Sequence, residues 1–90
     1  MYREWDFAKA KANARKHGVD FADAAIALSD DSAVTIPDPD SENDERFVSL
    51  GVDPNDQVLV TVFTHRGKTI RITSSRKASN GERRQYQEGQ

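Results

Sequence analysis

Residues 68–86 read KTIRITSSRKASNGERRQY, and this stretch sets the architecture. Ile70 and Ile72 alternate with Arg71 and Thr73, the two-residue period of a strand with one buried face. Arg76 and Lys77 follow where the strand ends. Asn80-Gly81 supplies a turn or helix start, and Glu82, Arg83, Arg84 and Tyr86 ride on a short basic helix. From His65 to Tyr86 there are seven Lys/Arg (Arg66, Lys68, Arg71, Arg76, Lys77, Arg83, Arg84) against one acid, Glu82. Guanidinium groups rooted on a strand are held more rigidly than on a loop and match phosphate geometry. The segment points to RNA.

Upstream, two apolar runs lead into this strand. Gln57–His65, QVLVTVFTH, is apolar enough for a central strand covered on both faces over part of its length. Arg46–Val52, RFVSLGV, is a strand closed by the Asp53-Pro54-Asn55-Asp56 turn, and Arg66-Gly67 makes a tight hairpin into Lys68–Ser75. Ala33–Ile36 is a further short strand before the Pro37-Asp38-Pro39-Asp40 loop. The acidic run Asp38 to Glu45 lacks the Gly-centred spacing of a calcium loop, so no metal is expected there.

The N-terminal third is helical. Asp6 is an N-cap for a helix from Phe7 to about Lys16, ended by His17-Gly18. Asp20 caps a second helix whose apolar face is Phe21, Ala24, Ala25 and Leu28. Trp5 reads as core closing this hairpin over the sheet, and His17 as a helix-end histidine. The pattern predicts an α+β fold: two N-terminal helices, a four-stranded antiparallel meander and a C-terminal helix. Residues 1–90 form a single domain with a disordered tail over 87–90.

Composition limits the functions available. A chain of 90 residues, 36% hydrophobic, builds one modest core. There is no cysteine, hence no disulfide framework or thiolate metal site, which fits a reducing cytosol. The opening MYREWDFAKA carries charges where a signal peptide needs an apolar run, and no stretch is long enough to span a membrane. The net charge of −2 conceals a split: seven acids and one base in residues 38–56, seven bases and one acid in 65–86.

WDFAKAKANARKHGVDFADA, IPDPDSENDERFVSLG and HRGKTIRITSSRKASNGERRQY together resemble the BrnT family of type II toxin–antitoxin toxins, small ribonucleases with a RelE-like fold. The most specific pieces are Lys16-His17-Gly18-Val19, Arg71-Ile72 and Ser75-Arg76-Lys77-Ala78, with Glu82-Arg83 beyond. Family members usually carry Ala at Ser75 and a bulky aliphatic at Thr73. The resemblance implies a cytoplasmic toxin that cleaves RNA without a metal or cofactor, by 2′-hydroxyl attack, and arrests translation. It implies neutralisation by a BrnA-type antitoxin, and contact with DNA only through that antitoxin.

Such a nuclease must stabilise charge on a phosphorane and move two protons. The catalytic candidates are Arg71 and Arg76 for the scissile phosphate, with Lys77, Glu82, Tyr86 and His65 around them. Lys77 either shares a proton or neutralises backbone dipoles. Glu82 acts as a base, orients an arginine, or merely suits a helix start. Tyr86 stacks on a base, donates its phenolic proton, or packs on the sheet. His65 is an acid or base, or structural. Arg66, Lys68, Arg83 and Arg84 are candidates for RNA contact. The alternative is a non-catalytic RNA- or antitoxin-binding module acting in operon autoregulation. DNA binding through the N-terminal helices, which lack a base-reading face, is disfavoured.

Overall fold

The computed structural model describes residues 2–40 and 46–89. The order is β1 (Tyr2–Glu4), α1 (Phe7–His17), α2 (Phe21–Leu28), β2 (Val34–Pro37), β3 (Arg46–Val52), β4 (Val58–Arg66), β5 (Thr69–Lys77) and α3 (Asn80–Glu88). The sheet runs β1-β5-β4-β3-β2. β2 to β5 are the antiparallel meander expected. The expected four-stranded antiparallel RelE-like sheet is corrected in one respect: β1 adds a fifth strand, parallel to β5, pairing Glu4 with Arg71. Three residues starting at the chain's second position carry too little period to be read as a strand; β5 supplies the ladder that makes them one.

Local chemistry explains the helices. The Asp6 carboxylate accepts from the Lys9 backbone N–H at 3.0 Å, and Gly18 takes φ 70 after the last turn, so α1 starts and stops where its sequence directs. Asp20 stands at the α2 N-cap with extended backbone but makes no side-chain capping bond. Ser79 caps α3 in a reciprocal capping box with Glu82. Gln87 and Glu88, expected in a disordered tail, complete α3. A Cβ on Gly89 would lie 2.9 Å from a Val34 methyl, so the helix end rests on β2; Gln90 lies outside the described residues.

Alternation along β4 and β5 divides the sheet into two faces. One face carries Leu59 and Ile72, both fully buried, under Val19, Phe21, Ala24 and Ala27 of the helical layer. Each large side chain so buried contributes about 1.5–3 kcal/mol. α2 comes so close to β3 that a Cβ on Gly51 would meet the Ala27 carbonyl oxygen at 2.2 Å. Trp5 is less buried than expected: it sets its edge on Phe21 with centroids 6.2 Å apart but stays 38% exposed.

A row of small polar groups crosses the helix-covered face: Thr35 donates to Ser49 at 3.2 Å, and Thr61 and Ser75 share a bond of 3.0 Å. Ser75 is 1% exposed, so Thr61 satisfies its buried hydroxyl. Thr73 is the extra residue of a β-bulge opposite Val62 and Phe63, and its hydroxyl donates to the Val62 carbonyl at 3.0 Å.

The opposite face holds Val34, Ile36, Val48, Leu50 and Val60, with Glu82 and Gln85 of α3 beside them. α3 buries no residue of its own. It is tied down by Tyr86, whose hydroxyl donates to Asp30 at 2.5 Å.

Candidate functional site

Strand register decides which candidates meet. Arg76 lies opposite Val60, and Arg71 opposite Thr64. Both therefore stand on the face not covered by α1 and α2, at its β5 side. The four intervening steps along β4 separate their backbones by about 13 Å, a gap long guanidinium arms can close on a bound strand. Arg66 shares this face by alternation, at the hairpin end. Lys68 occupies the two-residue hairpin loop with Gly67, whose φ is 60, one position later than expected.

Arg76 is held by Glu82. Its Nη1 and Nη2 donate to Oε1 and Oε2 at 2.8 and 2.9 Å, a bidentate pair. Oε1 also accepts from the Ser79 backbone N–H at 2.8 Å. The Arg76 bond, aided by the Ser79 contacts, lowers the Glu82 carboxyl to about 2. So acidic a group is a poor base near neutrality. Of its three possible roles, the contacts serve two: orienting the arginine and completing the capping box at the α3 start. The same bond raises the Arg76 guanidinium above its ordinary value.

Arg71 meets Glu4 at 3.7 Å, and its charge adds to the lowering of the Asp6 carboxyl, which comes chiefly from the Lys9 backbone N–H. Arg46 pairs with Asp38 at 3.1 Å. The acid beside Arg71 comes from β1, the strand missed in the sequence. Residues 41–45 of the acidic run lie outside the described residues.

The other candidates do not join this group. His65 lies against Phe47 and Phe63, with centroids 5.0 and 5.6 Å away. Alternation puts this aromatic trio on the opposite face from Arg71 and Arg76. Lys77, opposite Leu59, is turned by register from Arg76; it lines a 480 Å³ cavity with Asp56, Arg83 and Tyr86. The Tyr86 hydroxyl is pushed up to about 12, chiefly by its bond to Asp30, which suits a tether better than a proton donor. Arg83 reaches back to Asn80 within α3, and Arg84 is exposed on the same helix.

Asp30, just past the end of α2, is a further polar anchor. It accepts from the Tyr86 hydroxyl, the Val52 N–H and the Ser32 N–H, and these bonds, that of Tyr86 foremost, lower its carboxyl. Asn13, buried at 6% exposure, was missed. β1 stops opposite Arg71, leaving the β5 edge open at Ser75. The Asn13 carboxamide closes that edge, donating to the Ser75 carbonyl at 2.8 Å and accepting from its N–H at 3.0 Å. A lone asparagine in an otherwise Ala-, Lys- and Arg-rich α1 was the available signal.

The family model described as the ribonuclease toxin BrnT of type II toxin–antitoxin systems matches residues 5–82. The chain belongs to the BrnT family. It is by that membership a ribonuclease toxin of a toxin–antitoxin pair, with RNA as substrate and an antitoxin protein as partner. The crystal structure of the Brucella abortus ribonuclease toxin BrnT is similar to this chain: 27% identity, TM-score 0.70, covering 89% of this chain and 100% of that one. No curated protein sequence matches. The BrnT match contains Arg71, Arg76 and Glu82 and ends before Arg83, Arg84 and Tyr86. No helix among the described residues is long and apolar enough to cross a membrane.

Proposed function

We propose that this chain cleaves single-stranded RNA as a metal-independent endoribonuclease, with Arg71 and Arg76 gripping the strand at the scissile phosphate. The ribose 2′-oxygen attacks the adjacent phosphorus, the P–O5′ bond breaks, and the products are a 2′,3′-cyclic phosphate and a 5′-hydroxyl. The proton lost by the 2′-hydroxyl passes to water on the open face, and the departing 5′-oxygen takes one back from it. The two guanidinium groups stabilise the charge that accumulates on the phosphorane, which is the demand a metal would otherwise meet. Glu82 is a positioning residue that fixes the plane of the Arg76 fork.

The observation that carries this reading is the pairing on one open face of Arg71 with an Arg76 pre-oriented by a bidentate carboxylate. Lys77, Arg83, Arg84 and Tyr86 belong to the neighbouring α3 surface, and His65 to the aromatic trio. In the cell, the cytoplasm on this reading, a BrnA-type antitoxin neutralises the toxin by covering the arginine face and carries the complex to its operator DNA. Family membership supports that partnership.

The test is cleavage of a defined single-stranded RNA by the purified chain, without ribosomes and with EDTA, beside Arg76→Ala checked for folding. Cleavage should persist in EDTA and fall about 100-fold or more in the variant. Loss of activity in EDTA, products with 5′-phosphate ends, or an Arg76→Ala protein as active as the parent would each overturn the mechanism.

A further inference from the structure

The Lys16-His17-Gly18 motif has no part in the site above, yet the fold brings it to that site's border. An open cleft of about 280 Å³ lies between α1 and the β5 bulge, lined by Lys9, Asn13, Lys16 and His17 on one side and Thr73 and Ser74 on the other. Three of these are basic and none is acidic. Ser74 lies opposite Val62, so it stands on the same face as Arg71 and Arg76 and between them along β5. The cleft thus opens onto the arginine face at its middle.

The helix dipole alone does not explain this arrangement. Cations in the last turn of a helix are favoured, which accounts for Arg15, Lys16 and His17 together. Lys9 is in the first turn, where the dipole disfavours a cation, yet it falls on the same helix stripe as Lys16 and lines the same cleft. Asn13, between them, is bonded to both backbone groups of Ser75 and fixes the stripe against β5. Among the described residues no acid pairs with Lys16 or His17, in contrast to Arg71 and Arg76.

We propose that this cleft is a second phosphate subsite: Lys16 and His17, with Lys9 behind them, bind a backbone phosphate of the RNA strand flanking the scissile one. The proposal rests on reading the Arg71–Arg76 face as the RNA surface and extends it past the edge of β5 at Thr73 and Ser74, between the end of β1 and the Asn13 bonds to Ser75. The strand crosses from the arginine face over Ser74 into the cleft. The Thr73 and Ser74 hydroxyls and the Asn13 amide line its path.

The experiment is binding of a short 2′-O-methyl RNA oligomer, which cannot be cleaved by 2′-hydroxyl attack, measured across a salt series. The Lys16→Gln/His17→Gln double variant should bind on the order of tenfold more weakly, with a salt slope smaller by about 0.7 for the one phosphate lost. Lys11→Gln removes the same kind of charge from the outer side of α1, beside Phe7, and should bind as the parent does. If thermal melting shows the double variant unfolded, Lys16→Gln alone, at an exposed position, carries the test with a smaller loss. Unchanged binding in the cleft variant, or an equal loss in Lys11→Gln, overturns the subsite. The underlying reading fails separately: Arg71→Ala and Arg76→Ala would then bind like the parent whatever the cleft variant does.

Discussion

Replacing Glu82 by Gln isolates the charge of the Arg76 clamp while leaving its shape. Glutamine is the other residue that completes a capping box, so its carbonyl oxygen still accepts from Ser79 and α3 still starts at Asn80. What disappears is the carboxylate between Arg76 and the helix N-terminus. A carboxyl lowered from 4.5 to about 2 carries about 3 kcal/mol at most, at 1.36 kcal/mol per pH unit. Arg76 is 45% and Glu82 27% exposed, and solvent screening reduces the effect to about 1 kcal/mol. The sign follows from the direction of the displacement. A depressed carboxyl stabilises the fold fully above its unfolded value of 4.5, and that stability is lost as pH falls through the folded value near 2. Urea unfolding of parent and Glu82→Gln at neutral pH, at pH near 4 and at pH near 3 should therefore show the parent more stable by about 1 kcal/mol at neutrality, with the gap closing across the acid range. A gap that is absent at neutral pH, or that persists unchanged into acid, would refute the clamp.

Three further outcomes follow from the packing. Ser75→Ala should cost about 1–2 kcal/mol by leaving the buried Thr61 hydroxyl without its partner, and a Thr61→Val/Ser75→Ala protein should recover most of it in a double-mutant cycle of denaturant midpoints. Gly51→Ala should cost about 3 kcal/mol or prevent folding, because the new methyl meets the Ala27 carbonyl and α2 must lift from β3; thermal melting reads this directly. Tyr86→Phe should cost about 1–2 kcal/mol by orphaning an acceptor bond on Asp30, and should speed amide exchange throughout α3 more than in β4.

The meander was legible because its strands pair with near neighbours in sequence, and the helices because their start or stop signals are local: Asp6 and Gly18 for α1, Ser79 and Glu82 for α3. Arg46–Val52 begins and ends where its alternation and the Asp53-Pro54 turn place it. The short β1 was not legible: its ladder partner lies more than sixty residues away, and three residues show no period. That omission propagated to the site, since the acid beside Arg71 comes from β1. The arginines on the last strand were visible as alternating positions, but their roles depended on face. A one-residue difference separates Arg76 from Lys77 and Thr64 from His65, and the bulge at Thr73 shifts the parity of everything downstream, a shift that no residue type in TSSRK announces. Asp30 and Tyr86 are 56 positions apart, so neither residue alone signalled their bond.

The same lesson sets the strength of RNA binding. If all seven bases between Arg66 and Arg84 each neutralised a phosphate, log affinity would fall with log salt with a slope of about −5 for a single strand. In the fold their fields are not independent. Arg76 shares its charge with Glu82 and Arg71 with Glu4. Asp56, from the acidic turn between β3 and β4, lines the cavity that holds Lys77 and Arg83. Lys16, which has no ion pair among the described residues, lies outside the basic segment altogether, in the cleft beside Thr73 and Ser74. A strand lying across Arg71, Arg76 and the α1 cleft engages three phosphates, and the slope for the parent protein should be about −2. A slope near −5 would mean that α3 and the hairpin also hold RNA, and that the charge count along the chain describes the binding surface better than the pairing in the fold does.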